Sequence, residues 1–214
     1  MSYSPHQSNP NQRLINLATH AINYAFNNTV KTPLKDLPDS QYMNIYPGEH
    51  YRLLKAIMAI EEPKNVVEIG TFTGMGVVAM FEDRPNSKIT TFDLKFWHEF
   101  ATHLDKSYFH SLRVHQSLAD LSDPEMFIKY YEILNEADFI FMDGPKDGVF
   151  EYKMMELFKK LTSKEGRILM IDDIWFDNMV PLWRAIQHPK VDMTSFGHWS
   201  GTGLVDISDS SSVF

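Results

Sequence analysis

The chain has 214 residues, 43% of them apolar, which is enough for one well-filled core and short for two. A formal net charge of −8 argues against a nucleic-acid or anionic-membrane partner, since both need clustered Lys and Arg. There is no cysteine, so disulfides, thiolate metal sites and cysteine nucleophiles are excluded.

The opening MSYSPHQSNPNQRL is polar and shows no apolar segment of the secretory kind. No apolar run approaches the ~20 residues that span a bilayer, so a cytoplasmic protein is expected. Residues 1–12 read as disordered. Leu14 to Phe26 carries Leu14, Leu17, Ala18, Ala21, Ile22 and Ala25 at helical spacing. NNTVKTPLKDLPDS, broken by Pro33 and Pro38, predicts a loop. A second helix is predicted from Gly48 to Glu61, with Tyr51, Leu53, Leu54, Ile57 and Met58 as its apolar set. Residues 1–62 thus form a disordered tail and a helical extension, and 63–214 form the main domain.

From Asn65 strands alternate with helices. The predicted strands are NVVEIG, KITTFD (88–93), SLRVHQ (111–116), ADFIFMDG (137–144) and GRILMIDD (166–173). Helices are predicted from near Met75, after KITTFD through about Leu104, from Val149 to Leu161, and from Asp177 to Ile186. VDMTSFG (191–197) and GTGLVDIS (201–208) close the chain as an antiparallel hairpin. The fold class that follows is α/β: a three-layer, Rossmann-like sandwich with a mostly parallel seven-stranded sheet, preceded by N-terminal helices.

The run VVEIGTFTGMG places Gly70, Gly74 and Gly76 where the first strand turns into a helix. Ligands bind at this edge of a doubly wound sheet. The spacing is G-x-x-x-G-x-G, not the dinucleotide G-x-G-x-x-G, and Glu68 just before the turn would repel phosphate. It suits a ligand carrying an ammonium or sulfonium group. Asp93 ends the second strand, where an acidic residue accepts hydrogen bonds from ribose hydroxyls. Leu94 beside it is placed to cover an adenine face.

These residues resemble the class I S-adenosylmethionine-dependent methyltransferases. VEIGTFTG resembles their first motif as it appears in the metal-dependent catechol- and caffeoyl-CoA-type O-methyltransferases. The resemblance runs from about Met43 to about Asp177 and includes MNIYPGEHYRLL. It implies that Met43, Asn44 and Ile45 line the cofactor pocket. Glu68, Gly70 and Gly74 would hold the methionine end, with Thr71 in the same turn; Asp93 would hold the ribose; and Gln116 and Ser117 would sit near the adenine. Gly76 stands where the family often has Ser.

Strand four ends at Asp143 and strand five at Asp172 and Asp173, with no Lys or Arg in the ten residues after the pair. Three carboxylates in one cleft repel unless a proton or a cation intervenes. Hard oxygen ligands, few in number, describe a Mg²⁺ site better than a Ca²⁺ cage or a Zn²⁺ site. The resemblance agrees: the family's metal-dependent members use an Asp after strand four, here Asp143, and an Asp-Asn pair after strand five, here Asp172 and Asp173. Asp143 would also border the cofactor. Lys146 falls where the catechol enzymes carry the general base. His98 and His103, five apart on an expected helix, read as surface residues.

The function so implied is S-adenosylmethionine- and Mg²⁺-dependent O-methylation of a small-molecule acceptor that is catechol-like, phenolic or a sugar. Trp175, His198 and Trp199 are candidates for the acceptor pocket, whereas Trp97 and Trp183 are expected to pack. The N-terminal helices either cap the site or form a homodimer contact. Three alternatives stay open: a metal-dependent relative with hydroxylase-type chemistry, a nicotinamide-dependent oxidoreductase, and a non-catalytic binding module.

Overall fold

The computed structural model describes residues 10–31, 37–46, 48–82, 86–196 and 199–209. The tail before Pro10, the loop around Pro33, and Gly197 and His198 therefore lie outside the described residues.

Helix α1 (Gln12–Asn27) starts inside the stretch expected to be disordered. Asn11 is the reason: its side-chain oxygen accepts the Leu14 N–H at 2.9 Å, and its amide donates to Asp206 at 2.8 Å. Helix α2 (His50–Glu61) packs on α1 and on α3 (Met75–Phe81). The remaining elements are β1 (Asn65–Ile69), β2 (Lys88–Asp93), α4 (Lys106–His110), β3 (Val114–Leu118), α5 (Pro124–Lys129) and α6 (Tyr131–Glu136). They are followed by β4 (Phe139–Met142), α7 (Val149–Phe158), β5 (Ile168–Asp172), α8 (Val180–Ala185), β6 (Lys190–Asp192) and β7 (Thr202–Asp206).

The sheet order is β3-β2-β1-β4-β5-β7-β6. β1 to β5 are parallel, and β7 lies antiparallel between β5 and β6. This is the expected mostly parallel seven-stranded sheet with a terminal antiparallel hairpin. Alternate residues of each strand face opposite layers. Val66, Ile89, Phe139 and Met170 pack under α1, α2 and α3, while Val67, Phe92, Ile140 and Leu169 pack under α5 to α8. The order reverses at β1, between β2 and β4, and such a switch point opens a crevice at the carboxyl ends of the strands. No helix among the described residues is long and apolar enough to cross a membrane.

Three expectations are corrected. The long helix after β2 is absent: a 3₁₀ turn (Trp97–Glu99) and the short α4 take its place. His103 is consequently not on the surface; it is fully buried, with Nε2 3.0 Å from Asp39. Strand β3 begins three residues later than expected, because Leu112 adopts φ +59 and still belongs to the turn after α4. Helices α5 and α6 were not anticipated, although Asp123 caps α5 ahead of Pro124, and Phe127 and Leu134 bury one face.

Candidate active site at the carboxyl edge of the sheet

A cleft of about 550 Å³ opens over the ends of β1, β2, β3 and β4. Its floor is the glycine turn after β1. Gly70 has φ +103, and a Cβ there would overlap the Asp143 carbonyl oxygen. Only glycine lets the exits of β1 and β4 touch in this way. Asp93 locks the rim: Oδ2 accepts the Phe72 N–H at 2.8 Å, and Oδ1 accepts those of Leu94 and Lys95 at 2.7 and 3.1 Å. Leu94 and Phe72 stand largely exposed at the mouth.

Glu68 lies beneath the turn and is only 1% exposed. A chain of donors ends on it. The Gln116 amide donates to the Thr71 hydroxyl at 3.2 Å, Thr71 meets Thr91 at 2.7 Å, and Thr91 donates to Glu68 at 2.5 Å. Burial pushes the Glu68 carboxyl well above the usual carboxylate range; the Thr91 bond opposes this, and Asp143 and Asp93 add to it. The opposite oxygen of Glu68 occupies the space where a side chain at Gly76 would begin. This explains the glycine at that position, since a Ser there would collide with the carboxylate.

Asp143, Asp172 and Asp173 each bring a carboxylate oxygen within 4.8 Å of the others. Asp172 is the last residue of β5. Asp173 has φ +60, and this turn directs its side chain to the same mouth as its neighbour's. Ser200 donates to Asp173, and the Thr202 hydroxyl lies 3.3 Å from Asp172, so β7 braces the pair. The ammonium of Lys146 enters from the loop after β4. It is bonded to Asp143 and lies 3.0 Å from Asp173. Burial works against its charge, but Asp143, Asp172 and Asp173 outweigh it and raise the Lys146 pKa above the ordinary lysine value.

The structure gathers Gly70, Asp93, Leu94, Asp143 and Lys146 around the cleft, with Asp172 and Asp173 beside them. Glu68, Thr71 and Gly74 lie under or within the turn. The N-terminal trio is not among the residues lining this cleft: Met43 is buried in the core under α1 and α2, Ile45 is half exposed, and the Asn44 side chain holds the backbone of Val30 at 2.6 and 2.7 Å. Gln116 and Ser117 fall within β3 rather than after it, and Gln116 braces the β2 loop through the Trp97 N–H. Ala119 and Asp120, just past the strand, line the cleft in their place; a correct end for β3 would have pointed to them. Trp175 donates its indole N–H to Asp192 and Thr194 at 3.0 and 2.9 Å. Trp199 stands exposed, edge-on to Phe176. Trp97 stacks on Phe109, and Trp183 is buried against Gly203.

The first turn of α2 lies within the helix expected from Gly48, but neither His50 nor Tyr51 was a site candidate. His50 is 3% exposed, with Nε2 4.0 Å from Asp172, and its ring lies against Tyr51. Burial, and then the charges of Asp143, Asp172, Glu68 and Asp173, raise the Tyr51 hydroxyl well above its usual value. In the sequence both looked like members of an ordinary amphipathic helix.

The architecture has solved counterparts. One is a Staphylococcus aureus structure assigned as a caffeoyl-CoA O-methyltransferase, 15% identical, with TM-score 0.58, covering 90% of this chain and 96% of that one. Another is cofactor-bound Rv0187 from MTB, 15% identical, with TM-score 0.51, covering 92% and 91%. At this identity the likeness speaks for the fold. The sequence itself carries the assignment: a family model described as O-methyltransferase matches residues 23–190, well over half of the chain, and the chain belongs to that O-methyltransferase family.

Proposed function

We propose that this methyltransferase transfers a methyl group from S-adenosylmethionine to a hydroxyl of a small molecule, with a divalent cation, Mg²⁺, held by Asp143, Asp172 and Asp173. The carrying observation is the convergence of these three carboxylates next to the cleft over β1 and β4. The cleft volume lies within the ~300–1,000 Å³ usual for small-molecule sites. A turn without a Cβ at Gly70 and an acidic rim at Asp93 suit a nucleoside with a positively charged tail. An all-oxygen donor set suits a hard cation.

S-adenosylmethionine supplies an electrophilic methyl group, and the cation supplies positive charge that favours an ionised acceptor hydroxyl. The chain's own residues do the rest. Asp93 and Leu94 orient the nucleoside end, and the Gly70 turn admits the methionine end close to β4. Lys146 is the residue placed to take the acceptor proton. While the carboxylates hold it as an ammonium it accepts nothing, so its base role requires their charge to be taken up elsewhere. Ser200 and Thr202 fix the carboxylates, and alignment of donor and acceptor is the main source of rate. His50, near Asp172, and Tyr51, among the charges of Asp143, Asp172 and Asp173, give the N-terminal extension a place beside the carboxylates and a role toward the acceptor. The acceptor is catechol-like, phenolic or a sugar.

The test is calorimetric titration of S-adenosylmethionine into the full chain, with Mg²⁺ and with excess chelator. A screen of catechols, flavonoids and sugars for methylated product by mass spectrometry follows. Binding in both conditions and methylation only with Mg²⁺ are expected. Absence of binding would overturn the reading, and methylation undiminished in chelator would remove its metal part.

A further inference from the structure

The geometry points to a second role for Lys146: we propose that its ammonium is the internal counter-ion of the three-carboxylate site, and that a divalent cation enters by displacing it into the cleft. This rests on the reading that Asp143, Asp172 and Asp173 are the cation's ligands.

The Lys146 ammonium is bonded to Asp143 and lies 3.0 Å from Asp173, so it sits between two of the three ligands. A small dication bonds carboxylate oxygens at ~2.0–2.4 Å. It cannot engage both residues while a nitrogen occupies the gap between them. The carboxylates are poorly placed to yield instead: Asp173 is held by Ser200 in a left-handed turn, and Asp172 is paired in register with Thr202 at the end of β5. Lys146 has somewhere to go. Lys146 itself is one of the residues lining the cleft, which offers its side chain open volume. Its backbone is fixed, with φ +58 and its N–H given to Glu151 at 2.9 Å, so movement is confined to the flexible side chain.

The consequence is a coupling. The same event that loads the cation releases the Lys146 side chain from its carboxylates and frees its nitrogen from their charge. An internal cation offsets the repulsion of three crowded carboxylates, at the cost of weaker metal affinity.

Two measurements on the full chain test this. Mn²⁺ and Mg²⁺ are titrated calorimetrically into wild type and Lys146→Met. The variant should bind about tenfold or more tightly, as removal of a positive charge a few ångströms from a dication requires. Side-chain ¹H–¹⁵N spectra of wild type should show a slowly exchanging lysine ammonium that is missing from Lys146→Met and lost on saturation with Mg²⁺. This second readout uses wild type alone for the displacement step, so it stands even if the variant folds poorly without metal. Equal or weaker metal binding by Lys146→Met, or an ammonium signal unmoved by saturating Mg²⁺, overturns the proposal and leaves the metal site intact. No metal binding by either protein overturns the metal site and the proposal together.

Discussion

Strands β4 and β5 carry charged residues at both ends, and the two ends behave differently. At the amino edge, Asp138 precedes β4 and Arg167 precedes β5. Asp138 lies 2.6 Å from Lys164 and accepts the backbone N–H groups of Lys64 and Asn65 at 2.8 and 2.9 Å. Arg167, 0% exposed, donates to the carbonyls of Ala137, Thr162 and Asn135 at 3.1, 2.8 and 2.6 Å. Each charge there closes a loop of the fold. At the carboxyl edge, Asp143, Asp172 and Asp173 converge on the ammonium of Lys146, and two of the four hold a left-handed backbone without being glycine. Like charges and left-handed backbone gather at the carboxyl edge, where the proposed function puts a ligand, while at the amino edge each charge is met by an opposite charge or by backbone groups. On the proposed function, the same pair of strands serves stability at one end and chemistry at the other.

Substitutions should separate the two ends. The largest effect is expected at the carboxyl edge. Asp143→Asn should lower kcat/KM roughly a hundred- to a thousandfold, the scale of losing a charged group at a reacting centre. Its melting temperature should be unchanged or raised, because one of three crowded carboxylates loses its charge. A fall in Tm with activity preserved would reverse the roles assigned to the two ends. At the amino edge, Arg167→Met should leave S-adenosylmethionine affinity unaltered and cost about 3–5 kcal/mol, since three carbonyls lose a buried donor. In a chain of this length that is a drop in Tm of roughly 10 °C, read by thermal and urea denaturation. A smaller effect is expected inside the glycine turn. Gly76→Ser should cost about 1–3 kcal/mol, because its Cβ meets the Glu68 carboxylate. Glu68→Ala in the same chain should recover most of the loss, and a double-mutant cycle without that coupling would show that another contact requires the glycine.

How far the sequence revealed these two ends depended on what kind of signal each residue leaves. The sheet was legible because alternating burial and intervening helices have fixed periods, and because the runs before Asp143 and Asp172 are uninterrupted in apolar residues. The acidic pair was legible because adjacent carboxylates at the end of a buried strand have no other ready explanation. The partner of those carboxylates was not: no basic residue follows within ten positions, and the ammonium arrives from the loop after β4, a contact that only tertiary structure creates. His50 and Tyr51 were hidden because a helix's first turn looks the same whether it faces solvent or a cluster of charges. Asp120 was missed for a local reason: SLRVHQ alternates well enough to pass for the strand, but Leu112 turns the chain and moves β3 three residues on. Asn44 carries a second commitment that its position in a motif does not reveal: its side chain holds the backbone of Val30.

The finest separation between the two ends lies in their response to pH. Asp138 titrates below the ordinary aspartate range: burial pulls its carboxyl upward, but Lys164 and the N–H groups of Asn65 and Lys64 outweigh it. A carboxyl with a lowered folded pKa contributes stability that is present above its unfolded value of about 3.9 and is lost as pH falls through the folded value. Glu68, beneath the glycine turn, has the opposite shift, from burial first, with Asp143 and Asp93 adding to it against the Thr91 bond. Its stabilising contribution is present below the unfolded value of about 4.3 and is lost as pH rises toward its folded value. The unfolded chain ionises this group freely, and the native chain resists. Asp138→Asn should therefore lower stability at neutral pH and flatten the acid limb of the profile. Glu68→Gln, which keeps a carbonyl for the Thr91 hydroxyl, should match or exceed wild type at neutral pH and fall to or below it near pH ~4. Urea midpoints across this range, taken without S-adenosylmethionine, read both slopes in one series. Parallel profiles for the two variants would mean that the carboxyl under the turn is as well neutralised as the one at the amino edge, and that the excess of negative charge at the carboxyl edge stops at the three aspartates.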